Sequence, residues 1–299
     1  MTEVAKSVTP VFVLGLQRSG TTWLANLISN HADICSVGSV DHHGIHESIF
    51  FSHFAREYGD LTVTENYQRF IREFVKSDYF VLSGVEASWF EAQHVTSYAE
   101  VFRLLMEAVA AKKGAKAWVE KSPHHTLLAY QLAEMYPDAK FVCVIRDYQS
   151  MIRSRLWAFG RTPPGYPFRV YKIARACSVN SLYERFLERF CQNNPHAMLV
   201  RYEDLKSETH NNINRVFRFL NQGEVDKGFK AAYAANSSFA SVSQKEQGLG
   251  VIDKFFIFIF KSLMNLAPYG LLAYLEKRER SKGVEWPEWC WVINKRPPG

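Results

Sequence analysis

Two short stretches of the chain carry residue types and spacings suited to gripping a phosphate-like anion. The first is Gly15-Leu16-Gln17-Arg18-Ser19-Gly20-Thr21-Thr22-Trp23. It lies between a short apolar run and a segment with helical apolar spacing at Leu24, Leu27 and Ile28. In such a strand, glycine loop and helix, backbone N–H groups and the helix N-terminus converge on an anion. Gly15 and Gly20 stand five apart, as in a Walker A loop, but Thr21 occupies the place of that motif's Lys, and Arg18 lies inside the loop. The chemistry implied is handling of a phosphate group other than by ordinary ATP or GTP hydrolysis. The second stretch runs from Arg146 to Ser154. Arginine offers a planar fork for phosphate, and Ser154, two turns into the following helix, can add a hydroxyl from the same side.

The elements that must position these residues are legible in outline. Apolar β-like runs fall at 11–14, 116–119, 140–145 and 197–201, separated by segments with helical spacing. Leu127, Leu128, Leu132 and Met135 form one helical face stopped by Pro137; Val216, Phe217 and Leu220 form another stopped near Gly223. Strands alternating with helices predict an α/β fold, a three-layer arrangement with a mostly parallel central sheet and helices on both faces. Ligands in such sheets collect at the carboxyl ends of the strands. Three predicted strand ends, at Gly15, Glu120 and Arg146, coincide with the chemical stretches. After Glu120, Pro123 suits a first helical turn with Ser122 as its N-cap. Residues 55–110 read as mainly helical without evident chemistry, and 161–167 as a loop, either a surface turn or a border of the site.

Arg18-Ser19-Gly20-Thr21-Thr22-Trp23 resembles the 5′-phosphosulfate loop of sulfotransferases that use 3′-phosphoadenosine 5′-phosphosulfate (PAPS). The resemblance extends over roughly residues 10–250 and implies a P-loop NTPase-like sulfotransferase fold, with PAPS as donor, 3′-phosphoadenosine 5′-phosphate (PAP) as product and no required metal. It makes Ser19, Gly20, Thr21 and Thr22 ligands of the 5′-phosphate, and Arg146 and Ser154 those of the 3′-phosphate. Tyr148 stands where the family commonly has Pro. Glu120-Lys121-Ser122-Pro123 resembles a segment of carbohydrate sulfotransferases whose lysine holds the sulfuryl group or leaving phosphate. Ser237-Ser238-Phe239 resembles an adenine-contacting Thr-Ser-Phe, so Ser237 and Phe239 join the cofactor residues; Trp23 matches an aromatic that stacks on the base. Lys245 and Gly248 stand where the 3′-phosphate loop would continue, without the family's Arg-Lys-Gly. Arg201-Tyr202-Glu203-Asp204-Leu205 is frequent in the family and reads as architecture.

Sulfuryl transfer needs a base for the acceptor hydroxyl. His31-Ala32-Asp33 and Glu47-Ser48-Ile49-Phe50-Phe51 resemble the turn and glutamate segment of glycosaminoglycan sulfotransferases, which makes Glu47 the base. His124 is the rival, because cytosolic relatives use a His close after the matching Lys; His42, His43 and His46 are further histidines nearby. The catalytic set is thus Glu47, Arg18, Lys121 and His124. Two other readings stay open on the residues alone: a P-loop nucleotide kinase, which Thr21 opposes, and a catalytically idle nucleotide-binding protein.

At 299 residues and 47% apolar content, the chain is long enough for one domain with a sizeable core. We expect a single domain over 1–299, with a core at 8–250 and an apolar, aromatic extension at 251–299. The net charge of +6 suits an anionic cofactor, but without a dense basic run it does not suggest nucleic acid. The first ten residues show no secretory h-region, and five cysteines without metal spacing make a reducing cytoplasm the simplest compartment. Residues 255–275, strongly apolar but broken by Lys261, Asn265 and Pro268, read either as core or lid packing or as peripheral contact with a membrane surface. The expected acceptor is a small-molecule, lipid, glycolipid or carbohydrate hydroxyl.

Overall fold

The computed structural model describes residues 8–39, 44–157, 163–229, 248–282 and 285–296. Its sheet follows from strict alternation in the apolar runs. In β1 (Thr9–Gly15), Val11 and Val13 face one way and Phe12 and Leu14 the other, all fully buried. In β6 (Lys140–Ile145), Val142 and Val144 oppose Phe141, Cys143 and Ile145 in the same manner. A strand apolar on both faces is stable only between two covering layers. With β2 (Ile34–Cys35), β5 (Ala117–Lys121) and β7 (Ala197–Arg201), these strands form a parallel sheet in the order β2-β5-β1-β6-β7. The helices Thr21–Ser29 and Thr209–Phe219 cover the valine face, and Tyr98–Lys113 and Phe168–Asn193 the aromatic face. A two-residue hairpin, β3 (Gly38–Ser39) with β4 (Gly44–Ile45), sits apart. Neither β2 nor the hairpin carries a readable sequence signal, since two residues set no period.

The expected strands are present within two residues of their predicted ends. β5 runs two residues further than expected, so Lys121 is its last member and pairs in register with Val13 of β1. Residues 55–113 are helical in five pieces, as expected. Ser122 is a correction. It does not cap the turn Pro123–Leu128. Its hydroxyl donates to Glu120 Oε1 and accepts from the Ile49 N–H at 3.0 Å.

Glu120 is the centre of this exchange. It is fully buried, and Ser48 Oγ also donates to Oε1 at 2.7 Å. On the other oxygen, His125 Nδ1 lies 3.1 Å away, while His125 Nε2 accepts from the Phe51 N–H. The ring proton is therefore on Nδ1, pointing at the carboxylate. Thr126 completes the join by accepting from the Gly15 N–H and donating to the Gly15 carbonyl, both at 2.9 Å. Burial alone would raise the Glu120 pKa. His125 and the two serine hydroxyls outweigh it and hold the group below its ordinary value. Stability from this carboxylate is therefore present above the unfolded-state range and lost as pH falls through the lower folded value.

At the far end, the helix Val251–Asn265 packs on the long helix Phe168–Asn193 through Ile257, Phe256 and Phe260. Asp253 anchors it, accepting from the Tyr166 hydroxyl at 2.6 Å and from the Arg169 guanidinium. The next helix, Tyr269–Ser281, turns away by 108°, and neither helix is long and apolar enough to cross a membrane. The tail then returns: Trp286 Nε1 donates to Glu57, and Arg296 bridges Glu57 and Glu73. The five cysteines are free, and Cys143 is fully buried.

Glu120→Gln tests the buried join. The amide would set a donor against His125 Nδ1–H, and the other tautomer would set Nε2–H against the Phe51 N–H. We expect a loss of about 2–4 kcal/mol in urea unfolding; a change within experimental error of wild type would show that the network does not hold these segments.

Candidate functional site

The carboxyl edge of the sheet gathers the loop after β1, the end of β5 and the turn after β6. Steric constraints fix the loop. A Cβ on Gly15 would lie 2.7 Å from Ser19 Oγ and 2.8 Å from a Val144 methyl. Gly20 has φ of 98°, a left-handed conformation natural to glycine, and any Cβ there would collide with the Tyr202 ring. Arg18 is held at φ of 76°, which costs a non-glycine residue about 1–2 kcal/mol. Ser19 N–H closes the turn on the Leu16 carbonyl at 2.9 Å, so its amide is engaged and its hydroxyl is what it offers a ligand. That Oγ is buried without a hydrogen-bond partner. Gly20 gives the helix Thr21–Ser29 no side-chain cap, leaving first-turn amides to attract an anion.

β6 delivers Arg146 to the same place. Its Nη1 donates to the Arg18 carbonyl at 3.2 Å, its guanidinium lies over the Tyr202 ring at 4.1 Å, and its buried Nε has no partner. Asp147 caps the next helix, Tyr148–Leu156, by accepting from the Ser150 N–H. Tyr148, in the place of the expected Pro, is buried beneath Lys261. Ser154 is buried on this helix. Trp23 stands edge-on to Tyr202 at 5.5 Å. Tyr202 thus fills the space above Gly20 and carries both Arg146 and Trp23. Reading 201–205 as architecture missed this, although an aromatic at a strand end beside the loop was visible.

Lys121 and Glu47 form the most telling pair. Lys121 Nζ is 2.6 Å from Glu47 Oε1, and Lys121 is only 2% exposed against 24% for Glu47. Glu47 Oε2 carries no hydrogen bond to a described residue. Burial lowers the Arg18 pKa, while the charge of Glu47 acts to raise it. His124 joins them through Gln17 Nε2, 3.2 Å from its Nε2. Its pKa lies below the ordinary 6.5, chiefly through burial, with Glu47 opposing and His125 and Lys121 adding. Of the predicted catalytic residues, Lys121 makes the described hydrogen bond to Glu47, while His124 lies against Gln17 of the loop.

His46 is buried against Trp289, and His53 packs on His124 with its pKa pushed down to about 3, mainly by burial. The predicted Ser237 and Phe239, with Lys245, His42 and His43, lie outside the described residues. Among the described residues no group of three or more His, Cys, Asp or Glu side chains could hold a metal ion.

The polar atoms left without partners fit a bisphosphorylated nucleotide. Ser19 Oγ and the uncapped first turn are open to one anionic group, and the Arg146 Nε to a second.

Among curated proteins none matches this chain. Solved structures do. A sulfotransferase from Alicyclobacillus acidocaldarius aligns with TM-score 0.52 and 14% identity, covering 90% of this chain and 99% of that one. The sulfotransferase domain from the curacin biosynthetic pathway aligns with TM-score 0.50 and 18% identity, covering 94% of this chain and all of the other. At such identities these likenesses show the fold. The model of the sulfotransferase family matches residues 10–224, from β1 past the helix Thr209–Phe219. The chain belongs to the sulfotransferase family.

Proposed function

We propose that this protein transfers the sulfuryl group of PAPS to an alcohol hydroxyl on a lipid, glycolipid, carbohydrate or natural product. The observation that carries the proposal is the buried Lys121 held on Glu47 beside Arg18, at the strand edge where the loop opens. PAPS, when bound, supplies an activated sulfuryl group joined to a good leaving phosphate. Glu47 Oε1 is engaged by Lys121, so Oε2 receives the acceptor proton as the acceptor oxygen bonds to sulfur. Arg18 and Lys121 offset the charge left on the departing 5′-phosphate, and their positions are set before reaction. First-turn amides and Ser19 Oγ hold that phosphate; Arg146 and Ser154 hold the 3′-phosphate. His124 is the competing base, its pKa held below the ordinary value chiefly by burial.

Calorimetric titration with PAP, against 5′-AMP and ATP–Mg²⁺, tests the donor. Binding should require the 3′-phosphate and weaken by about tenfold or more in Arg146→Ala, the loss of a charge-assisted contact. A preference for ATP–Mg²⁺ would point to a kinase instead. With labelled PAPS, Glu47→Gln should lower kcat by about 10²–10⁴-fold while sparing PAP affinity, and Lys121→Ala should lower kcat by a similar factor and also weaken PAP, whose 5′-phosphate it would face. A His124→Asn variant that alone abolishes turnover would transfer the base to His124, and no turnover in wild type with any alcohol would favour an idle binding protein.

We also propose that the extension touches lipid. On the helix Val251–Asn265, Val251, Phe255 and Phe258 are 84%, 57% and 70% exposed, opposite the buried Asp253, Ile257 and Met264. Lys254 and Lys261 line one edge, and the helix's single acid, Asp253, is buried and paired. An apolar stripe edged by lysines complements an anionic bilayer surface. The protein should cosediment with phosphatidylglycerol-containing vesicles more than with pure phosphatidylcholine, and Phe255→Ser with Phe258→Ser should remove the difference. Concentration-dependent dimers that the same variant abolishes, without vesicle binding, would assign the stripe to a second copy.

A further inference from the structure

A cavity of about 800 Å³ shares Gln17 and His124 with the site just described. One wall is apolar, with Leu127, Leu128, Ile152, Leu156 and Val179. The rest is strongly basic. Arg56, Arg155, Lys172, Arg175, Arg280 and Lys282 line it, against the two acids Glu279 and Glu285. Two of these cations are neutralised locally, Arg280 by Glu276 at 2.8 Å and Lys282 by Glu279. The other four have no carboxylate within ion-pair distance among the described residues.

Arg56, Lys172 and Arg175 are exposed, while Arg155 is half-buried. Like charges repel, and a low-dielectric wall strengthens the repulsion. Arg155 feels it most. Burial lowers its pKa; Tyr183 and Glu279 act against that, while Arg175 and Arg18 add to it. The donor's phosphates already have their own partners in the loop, Arg146 and Ser154. Guanidinium forks left over, beside an apolar wall, match a second anion attached to a hydrocarbon body.

Resting on the sulfotransferase reading of the loop, we infer that the acceptor is an amphipathic alcohol bearing an anionic group, a phosphate, sulfate or carboxylate. Its charged end lies against Arg155 and Arg175, its apolar body against Leu127, Ile152 and Leu156, and its hydroxyl toward Glu47. An uncharged alcohol of the same length would leave the guanidinium groups uncompensated and bind more weakly.

Calorimetry with ω-hydroxydecyl phosphate, ω-hydroxydecanoate and decanediol tests this, each titrated into the full-length protein alone and saturated with PAP. Saturation occupies the Arg18 loop, so a phosphate probe cannot bind there. At least one of the two anions should bind about tenfold more tightly than the diol, the factor that one charge-assisted hydrogen bond supplies, and the two anions separate a phosphate from a carboxylate preference. The advantage should vanish in Arg155→Gln with Arg175→Gln, which should keep wild-type affinity for PAP. Equal affinities, no binding of either anion, or anion binding undiminished in the double variant overturns the inference. Loss of PAP affinity in that variant also overturns it, by assigning both arginines to the donor. If wild type fails to bind PAP, the donor reading falls, while the titrations into protein alone still decide the charge preference.

Discussion

One buried carboxylate holds the catalytic edge together. Glu120, fully enclosed, accepts hydroxyls from Ser48 and Ser122 and a ring N–H from His125. Each partner adjoins a residue of the proposed catalytic set: Ser48 follows Glu47, Ser122 follows Lys121, and His125 follows His124. A charge in a low-dielectric interior is tolerated only when its lone pairs are filled. That requirement pins two chain segments, 48–51 and 120–125, to one point, and the Lys121–Glu47 pair then forms beside it with little freedom left. The arrangement also explains why Lys121 can be nearly inaccessible: its charge is matched by Glu47 rather than by water.

Tyr202 plays the corresponding part on the other side of the loop. Its ring occupies the space that a side chain at position 20 would need, supports the Arg146 guanidinium and meets Trp23. The loop is consequently shaped by exclusion as well as by hydrogen bonding. Gly20 gives room to the ring and first-turn amides to an anion, and both effects depend on having no Cβ. Arg18, strained into the left-handed region, is kept there between the loop closure at Leu16 and its carbonyl bond to Arg146. Backbone strain of this kind is common where a ligand must be met in one geometry.

The C-terminal fifth of the chain divides its work. The helix Val251–Asn265 buries Ile257 and Met264 on the long helix and leaves Phe255 and Phe258 facing outward. The segment beyond it closes one side of the basic cavity through Glu279, Arg280 and Glu285, and the tryptophan-rich tail packs back against residues 46–80. Core packing and an outward apolar face, alternatives on the sequence, occur together because opposite sides of one helix serve each.

The sequence by itself determined what depends on near neighbours. The glycine loop, the alternating runs of β1 and β6, the helix breaks at Pro137 and Gly223, and Arg146 at a strand end are all local patterns, read from steric freedom and periodicity over a few residues. It could not assign Ser122, because a hydroxyl before a helical turn caps it only if no other N–H takes its lone pairs, and here the Ile49 N–H, 73 residues away in the chain, does so. Tertiary structure alone decided that Glu47 meets Lys121 across 74 residues and that Tyr202 lies over Gly20. It also decided that six cations share one cavity. Those are consequences of how parallel strands bring distant loops to one edge, where burial and charge, not chain order, select the partners.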